Sequence, residues 1–172
     1  MTYTLIAHTE LASAQAEIVF SSIPATFTDL LVVASLRTST VNADIGIKLN
    51  NSTSNFSNRY LIGNGSSASS GSAIGNFLGT TSRSDMTAST FGNVQVYIPN
   101  YRLAAAKSLS SDSVSENNGT FANQVISAIL WNDTSAITSL SLYSVFGGDL
   151  VQFSSATLYG ITSGSSGGVV VS

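Results

Sequence analysis

The feature that most constrains the fold of this chain is a series of short runs in which apolar and polar residues alternate. NVQVYIP places Val94, Val96 and Ile98 on one side of an extended segment and ends at Pro99, which has no N–H to donate to a β-ladder. ADIGIKLN, residues 43–50, alternates in the same way. Residues two apart in a strand share a face, so each run predicts a strand with one side in a core.

The run NQVISAILWN carries apolar residues on both faces. Val125, Ile129 and Trp131 share one face, and Ile126 and Leu130 share the other. Because Trp131 lies on an apolar strand, we expect its indole ring in the core and not at a ligand-binding surface.

Two further runs predict where their strands lie within a sheet. TDLLVVASLRTS is apolar on both faces from Leu30 to Ala34, as expected of a central strand that is covered on both sides. TYTLIA alternates at the start of the chain and predicts an edge strand.

Two strand-like runs near the C-terminal end flank a pair of glycines. AITSLSLYSV and LVQFSSATLYGI, residues 136–145 and 150–161, lie on either side of Gly147 and Gly148. Glycine adopts the positive φ angles of tight hairpin turns, so the pattern predicts a β-hairpin. Phe153 would lie in its second strand.

The segment AAAKSLSSDSVSEN, residues 104–117, consists mostly of small and hydroxyl-bearing side chains. We expect a strand that Leu109 and Val114 anchor, with its serines facing outward. Two interpretations are open: a plain solvated strand, or a face of small side chains against which another backbone packs closely.

Together these runs predict an all-β protein, an antiparallel β-sandwich or jelly roll of roughly ten strands. Residues 14–162 would form the sandwich and residues 1–13 an N-terminal arm or edge strand. Two polar loops, residues 50–58 and 63–76, are long enough to be mobile or to lie at an interface.

The last segment, residues 163–172, is a Gly/Ser tail with an apolar end. It is either a disordered tail or a segment whose Val169, Val170 and Val171 add a strand to a neighbouring subunit.

Charge is scarce, because Asp, Glu, Lys and Arg make up only 9 % of the residues. The six basic residues are scattered, whereas nucleic-acid binding needs clustered cations. The chain has no cysteine, no apolar stretch long enough to span a bilayer, and no leader-like pattern in MTYTLIAHTELAS. We therefore expect no disulfide, no secretory signal, and neither nucleic acid nor membrane as a partner.

Catalytic and metal-binding patterns are weak. His8 is the only histidine, and a zinc site or a general base would need partners that no motif supplies. The acidic residues lie on separate runs, without the pairing of a glycosidase or the density of a calcium loop. We therefore predict a protein that is not an enzyme and binds no cofactor or metal.

Sugar binding is a more serious possibility, because β-sandwich lectin modules stack sugars on exposed aromatic rings. Tyr60 and Tyr101 are the best candidates, since each is next to an arginine, Arg59 and Arg102. The alternative is that both tyrosines cap a core edge with the hydroxyl in water.

Several phrases, in strand order, resemble a known domain: FSSIPATFTDLLVVASLRTS, NNSTSNFSNRYLIGNGS, VQVYIPNYR, SVSENNGT, AILWNDTSAITSLSLYS and LVQFSSATLYGIT. They are similar to the β-sandwich (jelly-roll) virion domain of tailed bacteriophages and cyanophages, found in capsid decoration (cement) proteins and in head and tail fibres. The resemblance covers residues 14–162.

The resemblance implies a structural protein of the virion. As a decoration protein it would be a homotrimer on the capsid surface that bridges subunits of the major capsid protein, after synthesis in the host cytoplasm. The alternative is a fibre or tail-associated module that recognises host-surface glycans, with Arg59, Tyr60, Tyr101 and Arg102 as the first residues to test.

Overall fold

The structure, a computed structural model, describes residues 2–42, 44–73, 75–119 and 121–162. These residues form strands, turns and bends, and none of them belongs to a helix that could cross a membrane. The twelve strands are β1 (Thr2–Glu10), β2 (Glu17–Phe20), β3 (Asp29–Leu36), β4 (Asp44–Leu49), β5 (Phe56–Gly63), β6 (Ala68–Gly71), β7 (Phe77–Thr80), β8 (Gly92–Ile98), β9 (Lys107–Ser115), β10 (Asn123–Trp131), β11 (Leu140–Ser144) and β12 (Ser155–Thr162).

The strands form two antiparallel sheets that pack as a β-sandwich. The eight-stranded sheet has the order β1-β12-β3-β8-β9-β10-β5-β6, and the four-stranded sheet has the order β2-β11-β4-β7. The prediction of an all-β antiparallel sandwich is confirmed, whereas the finer assignment to a jelly roll stays a prediction. β1, the strand that TYTLIA predicts, lies at an edge of the large sheet.

Alternation correctly predicted which side chains of β4, β8 and β10 face the core. Each of these side chains is at most 1 % exposed: Ile45, Ile47, Leu49, Val94, Val96, Ile98, Val125, Ile129 and Trp131. The Trp131 ring stacks on Phe56, with 6.2 Å between the ring centroids. The expected core position of the tryptophan is therefore confirmed.

The prediction that β3 is covered on both faces is wrong. Leu31 and Val33 are only partly buried, because in the described part of the chain the small sheet covers the large sheet on one side alone. Their partial burial comes from cross-strand neighbours within the sheet, such as Tyr97 and Tyr159 beside Leu31. Lateral contacts of this kind let a strand carry apolar residues on an open face.

The predicted hairpin around the two glycines is also wrong, although both glycines have positive φ angles, 85° at Gly147 and 84° at Gly148. β11 pairs with β2 and β4 in the small sheet, and β12 pairs with β1 and β3 in the large one. The glycines therefore help the chain to cross between sheets. The Ser154 N–H group donates a hydrogen bond to Val151 O (3.0 Å) and closes a turn. Because of this turn, β12 begins only at Ser155.

The predicted loop at residues 63–76 contains a strand. β6 pairs with β5, and the turn between them is closed by Asn64, whose Oδ1 accepts hydrogen bonds from the N–H groups of Ser66 (3.1 Å) and Ser67 (2.8 Å). The Ser-rich sequence gave no alternation, so periodicity could not detect this strand.

The serine-rich strand β9 faces the other way from the prediction. Its buried side includes Ser111, Ser113 and Ser115, while Val114 lies on the outer face, opposite to Leu109. The expectation that the serines face outward is therefore wrong for these three. The second interpretation, a face against which another backbone packs closely, is confirmed.

That backbone belongs to β7. Ser111 Oγ donates a hydrogen bond to Leu78 O (2.5 Å), and Thr80 N–H donates to Ser113 Oγ (3.0 Å). A Cβ atom at Gly79 would lie 2.0 Å from Ser113 Oγ, so only glycine fits there. We call this contact between the three buried serines of β9 and residues 78–80 of β7 the serine seam.

Candidate functional site

The described residues contain no group of three or more His, Cys, Asp or Glu side chains that could hold a metal ion. His8 lies exposed on the edge strand β1, with its Nδ1 2.8 Å from Thr157 Oγ1. This single cross-strand hydrogen bond gives the imidazole no acidic partner.

The two buried cations have structural partners. The Arg37 guanidinium donates to the carbonyl oxygens of Met86 (3.1 Å) and Thr87 (2.9 Å), among others in the loop after β7. The Lys107 ammonium donates to the carbonyls of Asp133 and Ser135, and burial lowers its pKa. Both residues therefore fix loops at the ends of the sandwich, because a buried cation needs several acceptors.

Arg59 and Tyr60 point to opposite sides of β5, as neighbours in a strand must. Arg59 is exposed on the outer face of the large sheet, whereas Tyr60 is partly buried on the inner side. The Tyr60 ring meets Phe77 edge-on, with centroids 5.7 Å apart. The two side chains therefore leave β5 on opposite faces, although both line the groove beside β6.

Tyr101 was expected to be exposed, and that expectation is wrong: only 1 % of the residue is exposed. The chain turns at Asn100, which has a φ of 52°, and brings the Tyr101 ring back over the core. The hydroxyl donates to Pro24 O, and burial raises its pKa. Arg102 stays exposed and donates to Ala25 O (2.9 Å).

The four glycan candidates therefore do not converge. Arg59 lies on β5, while Tyr101 and Arg102 follow β8, and β9 and β10 separate those two strands in the sheet. Val169, Val170 and Val171 lie outside the described residues.

Large apolar side chains are exposed at one end of the sandwich, where the loops after β3, β7 and β11 meet. Hydrogen bonds join these loops, from Ser39 N–H to Asp149 O (2.8 Å) and from Ser84 N–H to Thr40 O (2.9 Å). We call this region the apolar loop end and define it by three residues that are 57–60 % exposed: Val41, Phe146 and Phe153.

The apolar loop end also holds a carboxyl group, that of Asp44, with no hydrogen-bond partner among the described residues. Asp44, at the start of β4, is partly buried, and its side chain receives no hydrogen bond from the described residues. Burial raises its pKa. Its own carbonyl binds Val145 N–H (3.0 Å), next to Phe146. A partly buried carboxyl group therefore lies one backbone hydrogen bond away from the segment that carries Phe146.

A second exposed apolar surface lies on the outer face of the large sheet. Leu61, Ile126 and Leu130 are 61 %, 52 % and 39 % exposed, and Ala128 lies between the last two. We call these four residues the apolar sheet face. Leu61 stands between two shallow grooves of about 600 and 480 Å³.

Sequence reasoning identified only part of these surfaces. The alternation of NQVISAILWN placed Ile126 and Leu130 together on the face opposite to Trp131, but it did not mark that face as exposed or as a binding surface. The sequence does carry a signal for Phe146, since a phenylalanine directly before two turn glycines has no strand to pack in. Phe153 was assigned to a strand, which hid its position in a turn.

Comparison of the chain with protein-family models, with curated proteins and with solved structures finds no match in any of the three. The similarity to phage virion domains therefore rests on the sequence phrases alone.

Proposed function

We propose that this chain is a structural protein of a bacteriophage particle, a decoration (cement) protein that binds the major capsid protein and stabilises the head. The sequence resemblance supplies the identity of the partner. The apolar loop end supplies a surface that can bind it. The proposal involves no substrate and no catalytic step.

The observation that carries the proposal is the position of Phe153. Its φ of 70° lies in the left-handed region, which costs a residue with a side chain roughly 1–2 kcal/mol. Its side chain is 60 % exposed, so the described residues cover less than half of it. Turn positions of this kind favour glycine or asparagine. A phenylalanine here therefore contributes more to binding than to folding.

The neighbouring groups support the same use. Val41 and Phe146 add apolar area that a partner would remove from water, at about 25 cal/mol per Å². Asp44 adds a carboxylate that a basic residue of the partner would neutralise. Each contact is modest, so attachment gains from several copies that bind together. The homotrimer that the resemblance implies would supply such copies.

The proposal predicts that Phe153→Asn separates binding from folding. The free energy of unfolding should stay constant or rise by up to about 1 kcal/mol, because asparagine tolerates the left-handed region. Binding to shells of the major capsid protein from the same phage should weaken at least about tenfold, the loss typical of a buried aromatic anchor. Titration of shells with the purified protein measures the second quantity.

Leu103→Asn is the matched control, because Leu103 is also exposed, at 51 %, but lies in the loop between β8 and β9 at the opposite end. It should bind shells like the wild type. Equal binding by Phe153→Asn and wild type would contradict the use of this end. A chain with few copies per virion, whose loss stops adsorption but leaves heads intact, would favour the fibre or tail-associated glycan-binding module instead.

A further inference from the structure

The outer side of β9, β10, β5 and β6 is a nearly uncharged surface with apolar residues at its centre. Ile126, Ala128 and Leu130 follow one another along the outer face of β10, and Leu61 lies directly beside Ile126 on β5. Among the described residues no second layer covers this side of the large sheet. Exposed apolar patches of this kind usually mark a contact with another macromolecule.

We propose that the apolar sheet face binds a second copy of this chain about a two-fold axis that runs along β10. In this arrangement Ile126, Ala128 and Leu130 meet their own counterparts. The Leu61 side chain of each copy lies over β9 of the other at the level of Asp112, because both residues pair with Ile126. A two-fold contact requires a self-complementary surface, and the charges of this face meet that requirement.

Only two outward-facing residues of these four strands carry charge, Arg59 on β5 and Asp112 on β9. They flank β10 on opposite sides, beside Ala128 and Ile126 respectively. Rotation about β10 carries Arg59 of one copy over β9 of the other. Arg59 then lies over Ser110, two residues from Asp112 along β9. Two residues of a strand span about 7 Å, a distance that an extended arginine side chain can reach.

Among the described residues of one copy, neither Arg59 nor Asp112 forms an ion pair. The Arg59 guanidinium donates to its neighbour's carbonyl, Asn58 O (2.7 Å). Asp112 Oδ2 accepts only a long hydrogen bond from Gln124 Nε2 (3.4 Å). The ion pairs Lys48–Glu17 and Arg83–Asp85 lie elsewhere. The two-fold arrangement therefore pairs both charges twice and places no like charges together.

The available area is that of a modest dimer. Rotation about β10 lays β5 over β9 and the four-residue β6 over β8 of the other copy. The three central strands, about 4.8 Å apart and about 30 Å long, together with the two short β6 contacts, cover roughly 550 Å² per copy. Stable interfaces bury about 800 Å² per partner, and weaker ones bury less. We therefore expect a weak dimer whose population depends on protein concentration.

This contact does not depend on the proposed function, since it leaves the apolar loop end free. It gives a unit of two copies in place of the three that the resemblance implies. A dimer that does not bind capsid shells would contradict the proposed function but not the dimer contact. A monomer that binds shells through Phe153 would contradict the dimer contact but not the proposed function.

Charge exchange between Arg59 and Asp112 tests the pairing. Arg59→Glu and Asp112→Arg should each weaken dimerisation at least about tenfold, because each places like charges together at both contacts. An equimolar mixture of the two variants should dimerise within about threefold of the wild type, since a mixed pair brings opposite charges together twice. Sedimentation equilibrium measures each dissociation constant.

Arg102→Glu is the control, because it changes the net charge as much as Arg59→Glu at an exposed site in the loop between β8 and β9, outside the four strands of this face. It should leave dimerisation unchanged. Ile126→Thr keeps a β-branched residue in β10 and should also weaken the dimer about tenfold. A wild-type monomer at high concentration, a trimer, or a mixture no better than the single variants would overturn the proposal.

Discussion

The two sheets of this sandwich are held together by different means in two parts of its interior. In one part, aliphatic side chains fill the space between the sheets; Leu30, Val32, Ile47, Leu142 and Leu158 are fully buried there in one cluster. In the other part, the serine seam, hydroxyl groups of β9 bind the backbone of β7 directly.

The difference shows that one fold can use two kinds of interior contact with opposite sensitivities. Aliphatic packing has no preferred direction, and it loses most when atoms are removed and a cavity is left. The serine seam holds two backbones close together through hydrogen bonds of fixed geometry. It should therefore lose most when an atom is added, and less when one is taken away.

The largest expected effect is a cavity in the aliphatic part. Ile47→Ala should lower the free energy of unfolding by about 2–5 kcal/mol, because Ile47 is fully buried in the core. Ile47→Val removes a single methylene and should cost about 0.5–1.5 kcal/mol. Urea unfolding measures both losses, and equal losses for the two variants would contradict the cavity explanation.

The next effect is an added methyl group in the serine seam. Gly79→Ala should cost about 1–3 kcal/mol, because the new Cβ would lie 2.0 Å from Ser113 Oγ and 2.7 Å from Ser113 Cβ. The strand β7 must then move away from β9.

Removal of the opposing side chain tests this origin. In the double variant Gly79→Ala with Ser113→Gly, the added methyl group has space, so the combined loss should be smaller than the sum of the two single losses. Simple additivity of the two losses would show that the clash is not the cause.

These two parts also differ in how well the sequence predicted them. In the aliphatic part, alternation identified the inward residues correctly, because Ile47 and Val96 contrast with polar neighbours. In β9 almost every side chain is small and polar, so no contrast told the inner Ser113 from the outer Ser110. Only tertiary contact with β7 decides which serines are buried.

The interaction surfaces were predicted less well for a related reason. Neighbours in sequence, such as Arg59 and Tyr60, point to opposite sides of a strand, so adjacency does not make a site. The burial of Tyr101 depends on the turn at Asn100, and the exposure of Phe153 depends on a turn that interrupts an apparent strand. Local backbone reversals of this kind leave little trace in an apolar pattern.

A smaller effect is expected when a hydroxyl is removed from the serine seam. Ser113→Ala leaves the Thr80 N–H without its acceptor and should cost about 1–2 kcal/mol, the penalty for a buried unpaired donor. Ser110→Ala, on the exposed face of the same strand, should change stability by less than about 0.5 kcal/mol. Equal losses in thermal or urea unfolding would mean that the hydrogen bond does not stabilise the seam.

The smallest effect concerns another serine hydrogen bond, on the outer face of the small sheet, where Ser141 donates to the charged carboxylate of Glu17. Hydrogen bonds from Ser141 Oγ (2.7 Å) and Lys48 Nζ (2.9 Å) hold the pKa of Glu17 below its usual 4.5. A lowered pKa means that the folded state binds fewer protons than the unfolded state near that pKa. The resulting stability is present above pH 4.5 and is lost as the pH falls through the depressed value. Glu17→Gln should therefore be less stable than wild type at pH 7, by about 0.5 kcal/mol or less because the pair is partly exposed, and this difference should shrink towards pH 3. Unfolding curves of both proteins, measured between pH 7 and pH 3, test this prediction, because a stability difference that is constant with pH would show that the carboxylate charge contributes nothing.

In that case the contact between Ser141 and Glu17 would be an ordinary neutral hydrogen bond, like those of Ser113. Its exposure to solvent, and not its charge, would then explain why it stabilises the fold so little.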